Sequence, residues 1–499
     1  MTKGGGRVET VTGPAAGDNL ACRLLYRDLR EWLAEADRLG AVKVVKGASW
    51  DRDVGQVVEV VCHDEGTPTI VFDDVQGCAN GFRLLVNWFT GTRKNLTLGF
   101  APELNRVELS HGYHRHTRGM VPVPHEIVPD GPVLENVIEG DAVDVTKFPA
   151  PLWNADDGGR YIGTGCYNVT RDPESDWINC GVYRVMIHDA KRVALYISPG
   201  KHGRIHRDKY MARGEKMPVC IVLGGDPISF LHASTEAPEG VCEFDMIGAY
   251  RGEALKCVRG KHTGLPFPAD AEIVIEGFIA PGNVQREGPF GEWLGYQGGA
   301  MEAEPVVDIA AIYHRNDPII LGAAHIRMPY EYARYRAISR SAVLKENIAR
   351  AGVPDVTEVW AHEVGGARLF LAVAIKQRYP GHATQAGHIA AMCHAGAYLG
   401  RFVVVVDDDV DVSNLDEVIW AVCTRCDPAT AIDIIHNAWS SALDPTIPPE
   451  RRKAGDLTNS RAIINACRPF HWKDRYFKVN APTPEAREEA WRRWGHLRG

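Results

Sequence analysis

Between about residues 150 and 315 short β-forming runs crowd together: GCYNVTRD, GVYRVMIHD, RVALYIS, PVCIVLGG, AEIVIEGFIA and VVDIAAIYH. Gly, Pro, Asp and Asn punctuate them. Closely spaced short strands with turn signals predict a barrel or sandwich. The flanks read differently. From about residue 318 strands and helices alternate: PIILGAAHI, YEYARYRAISRSAVLKENIARAG, RLFLAVAI, ATQAGHIAAMCHAGAYLG, FVVVV and NLDEVIWAVCTR. That alternation predicts βαβ units and a parallel sheet with helices on its faces. Before residue 120, LLYRDLREWLAEADRL predicts an amphipathic helix over 24–39 with Gly40 beyond its end. AVKVV, TIVFDD and RLLVNW predict strands, with a short helix over 53–64, and the proline-rich 121–150 predicts a connector.

The chain is therefore expected to be a multidomain α/β (α+β) protein. Its divisions are a disordered terminus at 1–20, an N-terminal α/β domain at 21–125, a β-rich domain at 126–315, a C-terminal α/β domain at 316–480 and a C-terminal helix at 481–499, a candidate oligomer contact. Its 499 residues are 45% hydrophobic, enough for several cores. A net charge of −8 argues against nucleic acid as a partner. The polar start, MTKGGGRVETVTGPAAGDN, lacks the apolar stretch of a secretory signal, and no apolar run approaches membrane-spanning length. The twelve cysteines then read as reduced cytoplasmic thiols. Cys423 and Cys426 form a single C-x-x-C with no second pair, read as incidental thiols on a helix rather than a metal or redox site.

The segment REGPFGE, 286–292, carries the most chemistry. Glu287 and Glu292 are five residues apart, a spacing that does not share a helix face, and Pro289 has no N–H to donate. The segment reads as a stiff loop aiming two acids. Two neighbouring carboxyls near an Arg can have their pKa values pushed apart, giving a proton donor beside an ionised partner; the other reading is a solvated turn. VVVVDDDVDVSNLDE, 403–417, offers either a divalent-cation site at a strand end or a helix cap with Ser413 and Asp416 as a capping box. INCGVYR, 178–184, predicts a strand opened by Asn179 and closed by Arg184, able to cradle an anion. His202, His325 and His436 lie near element ends without metal-binding spacing.

NVTRDPE (168–174), NCGVYR (179–184), SPGKH (198–202), CEFDMIG (242–248), REGPFGE (286–292) and VVDDDVD (405–411) occur in that order, and together they resemble the UbiD family of decarboxylases, which use prenylated FMN. The resemblance implies a split β-barrel flavin domain between two α/β regions. It implies a catalytic set of Arg184, Glu287 and Glu292, with Glu292 the proton donor and Glu287 holding Arg184. It implies a metal site of Asn179, His202 and Glu243 for Mn²⁺, with K⁺ nearby, bridging to the cofactor phosphate. Val182, Tyr183, Arg184, Tyr196, Ile197, Ser198, Lys201 and His202 would contact the cofactor, and Arg401 would take the place of a phosphate-binding Lys. His325 and His436 would lie near the substrate, either hydrogen-bonding a phenolic hydroxyl or serving structure alone. The implied activity is reversible release of CO₂ from a phenolic aromatic acid, with a flavin prenyltransferase as cofactor supplier and a homodimer or homohexamer as the assembly. A heteroaromatic or phenylacrylic acid is the alternative substrate, and a split-barrel flavin oxidoreductase the rival of another class. An sp² carbanion explains the cofactor: acid–base help supplies only about 10²–10⁴-fold, so an electron sink is needed.

Overall fold

The computed structural model describes residues 20–235, 237–298 and 301–498. The expected disorder of 1–20 thus falls almost wholly outside the described residues. Three principal sheets and a small three-stranded one organise the chain.

The first helix is Leu29–Arg38, later than the hydrophobic pattern predicted, because Asp28 caps it by accepting from the Glu31 N–H at 2.8 Å. It buries Leu29, Trp32 and Ala36. The N-terminal sheet runs in the order Val42–Lys46, Thr69–Asp73, Arg83–Val86 and Ile319–Leu321. Its last strand corrects the boundary drawn at residue 316. Ile319, Ile320 and Leu321 pair in parallel with Arg83, Leu84 and Leu85, so the chain returns to its first domain before entering its last. A fully buried apolar triplet announces a strand, but not which of two sheets it completes.

The central sheet has nine strands, all paired antiparallel. Its path is Tyr161–Gly163, Val185–Asp189, Arg192–Leu195, Met301–His314, Ile273–Glu287, Met217–Leu223, Tyr167–Arg171 and Ile178–Gly181, with Asn136–Glu139 on the Met301–His314 strand. The long hairpin of Ile273–Glu287 and Met301–His314 is its spine. One end of that hairpin carries Glu287 and the acid loop. The connector is woven in rather than free: Glu126–Ile127 pairs with Lys256–Arg259, and Asn136–Glu139 joins the large sheet.

In the C-terminal sheet Phe370–Ile375, Phe402–Asp407 and Thr458–Ala466 are parallel neighbours, flanked by antiparallel edges Val356–Ala361 and Ile432–Trp439. The helices His382–Met392 and Leu415–Arg425 lie between them in the chain, as the alternation predicted. The helix Glu331–Arg350 ties this region to the first: Ser110 donates to the Ile338 carbonyl at 2.7 Å, and the Tyr113 and Tyr335 hydroxyls meet at 2.9 Å.

The acidic stretch after Phe402–Asp407 resolves into ion pairs. Arg425 holds Asp407 at 3.2 Å and Asp409 at 2.9 Å, and Arg468 adds a second cation to both. With both acids neutralised by arginines, the strand end is not an open cation site. The helix cap is Asn414, which accepts from the Asp416 N–H, while Ser413 donates to Asp411; the Ser413–Asp416 capping box is not formed. All twelve cysteines are free, Cys423 exposed among them. Among the described residues no helix is long and apolar enough to cross a membrane.

Candidate active site

The Ile273–Glu287 strand delivers Glu287 to the interior, where it is fully buried. The chain then turns through Gly288, at φ 81°, a left-handed conformation that glycine adopts without strain. Four backbone hydrogen bonds fix the loop: Gly158 to the Pro289 carbonyl at 2.7 Å, Gly298 to Phe290 at 2.9 Å, Glu292 to Tyr296 at 2.7 Å and Gly295 to Glu292 at 2.7 Å. A Cβ on Gly291 would lie 2.6 Å from the His325 carbonyl oxygen, so only glycine lets the loop pack here. Phe290 is buried and stacks on Tyr161, ring centroids 3.9 Å apart. The expected stiff loop is present, and it presents both acids to one cation.

That cation is Arg184. It does not close a strand: Ile178–Gly181 ends before it, and Arg184 sits in the link to Val185–Asp189. Its Nε and Nη2 donate to the two Glu287 oxygens at 2.9 and 2.8 Å. Its Nη1 reaches Glu292 Oε1 at the longer 3.4 Å. Its guanidinium stacks over the Tyr196 ring, 4.3 Å from the centroid. Glu287 also accepts from the Tyr161 hydroxyl at 2.6 Å. Burial disfavours the Arg184 charge, but the Glu287 hydrogen bonds and charge outweigh that and hold it protonated. Burial pushes the Glu292 carboxyl above the usual glutamate range, and the Arg184 charge only partly offsets the shift. The two acids therefore differ in kind: one is locked in a bidentate ion pair, the other retains its proton more readily.

Glu292 and Arg184 line a cavity of about 400 Å³, and Glu287 lies behind it as the ion-pair partner of Arg184. Asn179, Val182, Tyr183, Arg184, Tyr196, Ser198, Lys201, His202, Glu243 and His325 line the same cavity. Asn179 donates to the Thr170 and Tyr183 hydroxyls at 3.3 and 3.4 Å. His202 begins the helix His202–Arg213, its ring 4.8 Å from that of Trp177. Glu243 begins the helix Glu243–Arg251 and accepts from the Cys180 N–H at 2.7 Å. Its carboxyl is pushed up to about 7, burial outweighing that hydrogen bond. An amide, an imidazole and a carboxylate lining one cavity are donors that suit a hard or borderline divalent ion.

Three expected residues lie elsewhere. Ile197 is buried in the core, its carbonyl accepting from Arg204 at 3.3 Å. Arg401 is not in the cavity: its Nη2 contacts both Asp444 oxygens at 2.7 Å and Thr446 Oγ1 at 3.0 Å. Asp444 is fully buried, and burying a carboxylate demands a partner, which fixes Arg401 as a structural cation of the C-terminal domain. His436 is on the exposed face of Ile432–Trp439, where the register shifts between Ile435 and Ala438, and its Nδ1 lies 3.3 Å from Ser460 Oγ.

The sequence reading missed Phe290, Trp293, Tyr330, Tyr332 and Arg336, which also line the cavity. Arg336 donates to the Ser234 carbonyl at 3.0 Å and lies over Tyr332, 4.7 Å from its centroid. The i, i+4 spacing of Tyr332 and Arg336 in YEYARYR was the available signal. With Lys201 it makes one end of the cavity cationic. His325 is packed between Phe290 and Tyr330, centroids 5.7 and 6.0 Å away. Its pKa is pulled down to about 4, by burial first and then by the Arg184 charge, and its buried Nδ1 has no hydrogen-bond partner among the described residues.

Residues 126–328 match the model of the 3-octaprenyl-4-hydroxybenzoate carboxy-lyase Rift-related domain, and 336–466 the C-terminal domain of the same carboxy-lyase. A pyrrole-2-carboxylic acid decarboxylase of Pseudomonas aeruginosa is 29% identical over 94% of this chain and 98% of its own length. A phenolic acid decarboxylase of Bacillus subtilis is 29% identical over 85% of this chain and 90% of its own. Among solved structures, the UbiD-class enzyme HmfF of Pelotomaculum thermopropionicum in complex with FMN has a TM-score of 0.80 at 28% identity, covering 92% of this chain and 98% of that one. An evolved dimeric form of HmfF was solved with prenylated FMN. Two domain matches in register, relatives aligned almost end to end and an acid–Arg–acid cavity in the shared fold lead to one conclusion: this chain belongs to the UbiD family of carboxy-lyases.

Proposed function

We propose that this chain is a reversible, non-oxidative decarboxylase of a phenolic aromatic acid, working with prenylated FMN, Mn²⁺ and K⁺ as a cytoplasmic homo-oligomer. The observation that carries the substrate reading is His325. It lines the aromatic-walled cavity as a neutral imidazole, so one ring nitrogen can accept a hydrogen bond and the other donate one. A nitrogen of this kind gains by hydrogen-bonding a ring substituent and gains nothing from a hydrocarbon ring. The P. aeruginosa relative supports a second reading, in which a pyrrole-type N–H meets the same nitrogen.

The residues present fit the cofactor and its metal. The donor set of Asn179, His202 and Glu243 suits Mn²⁺, and a flavin supplier of the prenyltransferase class would provide the organic group. Glycines let Tyr183, which lines the cavity, pack closely: a Cβ on Gly181 would meet the Tyr183 hydroxyl at 2.3 Å, and one on Gly203 the same ring at 2.7 Å. Lys201 and Arg336 line the cavity, as Arg401 does not, and would supply positive charge to an anionic phosphate bound there. When bound, prenylated FMN supplies the electron sink for the carbon that loses CO₂.

This chain's own residues do the rest. Arg184 is held by Glu287, which also accepts from the Tyr161 hydroxyl, and its Nη1 faces Glu292. Glu292 delivers its proton to the ring carbon vacated by CO₂ and is reprotonated from water; in the carboxylating direction it takes that proton back. Phe290, Tyr330 and Trp293 keep bulk water off the reacting face.

The test is CO₂ release under anaerobic conditions by protein co-produced with a flavin prenyltransferase, offered protocatechuate, pyrrole-2-carboxylate and cinnamate side by side. Release from protocatechuate, with a raised KM in His325→Leu, is expected. Release from pyrrole-2-carboxylate alone assigns His325 to a ring N–H. Release from cinnamate alone ends the polar-pocket reading.

A further inference from the structure

A second cluster of metal-ligating side chains stands apart from the cavity. One donor atom each from His125, Cys242 and Asp245 lies within 4.8 Å of the others. Cys242 precedes the helix Glu243–Arg251 as its cap residue, and Asp245 is three residues on, so the two side chains share a helix face. Glu243, between them, lines the cavity, which neither Cys242 nor Asp245 does. His125 comes from the connector. That segment is pinned along the helix by Val123 N–H to the Asp245 carbonyl at 2.9 Å and by Glu126 N–H to Leu255 at 2.9 Å. Asp245 Oδ1 accepts from both the backbone N–H and the Nδ1–H of His125, at 2.9 and 2.8 Å. Cys242 is buried.

We infer that His125, Cys242 and Asp245 form a second divalent-metal site of the zinc class, which staples the connector to the helix carrying Glu243. The ligand chemistry separates it from the cavity set. A thiolate, an imidazole and a carboxylate with an open fourth position are a zinc donor set, whereas Asn179, His202 and Glu243 offer no sulfur. Binding balances simply. The imidazole moves its proton from Nδ1 to Nε2, the freed Nδ1 and the Asp245 carboxylate take the metal, the Cys242 thiol releases one proton to water, and water fills the fourth position. The inference stands whether or not the substrate reading holds.

The probe is Co²⁺ added to the full-length, flavin-loaded protein, followed by difference absorption. Wild type is expected to show a thiolate-to-cobalt charge-transfer band saturating near one equivalent per chain. Cys242→Ser should abolish the band. His125→Gln should weaken Co²⁺ affinity at that band at least tenfold, both variants keeping wild-type circular dichroism. The same band should appear when Zn²⁺ already in the isolated protein is exchanged for Co²⁺. No band in wild type, a band that survives Cys242→Ser, or one unmoved by His125→Gln would overturn the site.

Discussion

Glu287→Gln separates the two acids' roles. In the wild type Arg184 gives two donors to Glu287 at 2.8 and 2.9 Å and one long contact, 3.4 Å, to Glu292. Both partners of the tight pair are out of solvent, with side-chain exposures of 11% and 1%. Removing one charge of such a pair costs about 3–5 kcal/mol, mostly because the other is left uncompensated. The substituted amide keeps the shape but not the charge, so Arg184 turns to the remaining carboxylate. A charge-assisted hydrogen bond gained by ionised Glu292 is worth about 1.5–3 kcal/mol, which at 1.36 kcal/mol per unit lowers its pKa by roughly one to two units. In the proposed mechanism protonated Glu292 is the donor. Its raised pKa in the wild type means that activity is retained at low pH and lost as pH rises through that value, above the ordinary glutamate range. In Glu287→Gln the loss should begin one to two units lower. At neutral pH kcat should then fall about 10–100-fold and recover on acidification. The assay is the pH profile of kcat for CO₂ release, normalised to flavin occupancy from visible absorbance. A profile reduced equally at every pH, with its limb unmoved, would refute the coupling of Glu287 to Glu292 through Arg184.

Three further outcomes follow from the same geometry. Glu292→Gln should lower CO₂ release at least about 10²-fold, the share typical of a positioned acid, while the purified protein keeps its flavin spectrum. Glu243→Ala should purify with depleted metal and flavin, read by elemental analysis and absorbance, because the Cys180 N–H and the cavity wall lose one carboxylate. Arg401→Ala should leave flavin occupancy unchanged but lower the thermal midpoint, since it leaves the buried Asp444 carboxylate with only neutral partners at Ser440, Thr446 and Asn459.

Periodicity carried much of the fold. The crowded runs of 150–315 became an antiparallel sheet, and the alternation after Arg368 became three parallel strands with helices between them. What periodicity misplaced was long-range choice. Ile319–Leu321 reads as a strand from its own residues, yet its partner is more than two hundred residues earlier, and no local pattern encodes that pairing. The helix at Leu29 was displaced for a local reason that was legible: an Asp followed three residues later by Glu is a cap signal stronger than the apolar stripe that precedes it.

The site divides along a similar line. Glu287, Glu292 and Arg184 could be read because their chemistry and loop stiffness are written in short, recognisable stretches. Arg401 and His436 were drawn in by position alone, and direction decided against both. Arg401 lies just before Phe402–Asp407, but it pairs with Asp444, and a buried carboxylate demands a cationic partner. Along a strand successive side chains point to opposite faces, so a one-residue shift reverses where a histidine points. His436 sits at such a shift, with Asn437 at φ 54° beside it, and faces outward. His325 follows a strand end too, but it lines the cavity, with Phe290 and Tyr330 packed against its ring. The discriminating quantity is therefore not the residue type but the direction in which the fold turns the side chain. Arg401 is turned to the buried Asp444 carboxylate and His436 to the exposed face of its strand, whereas His325 is turned to the cavity.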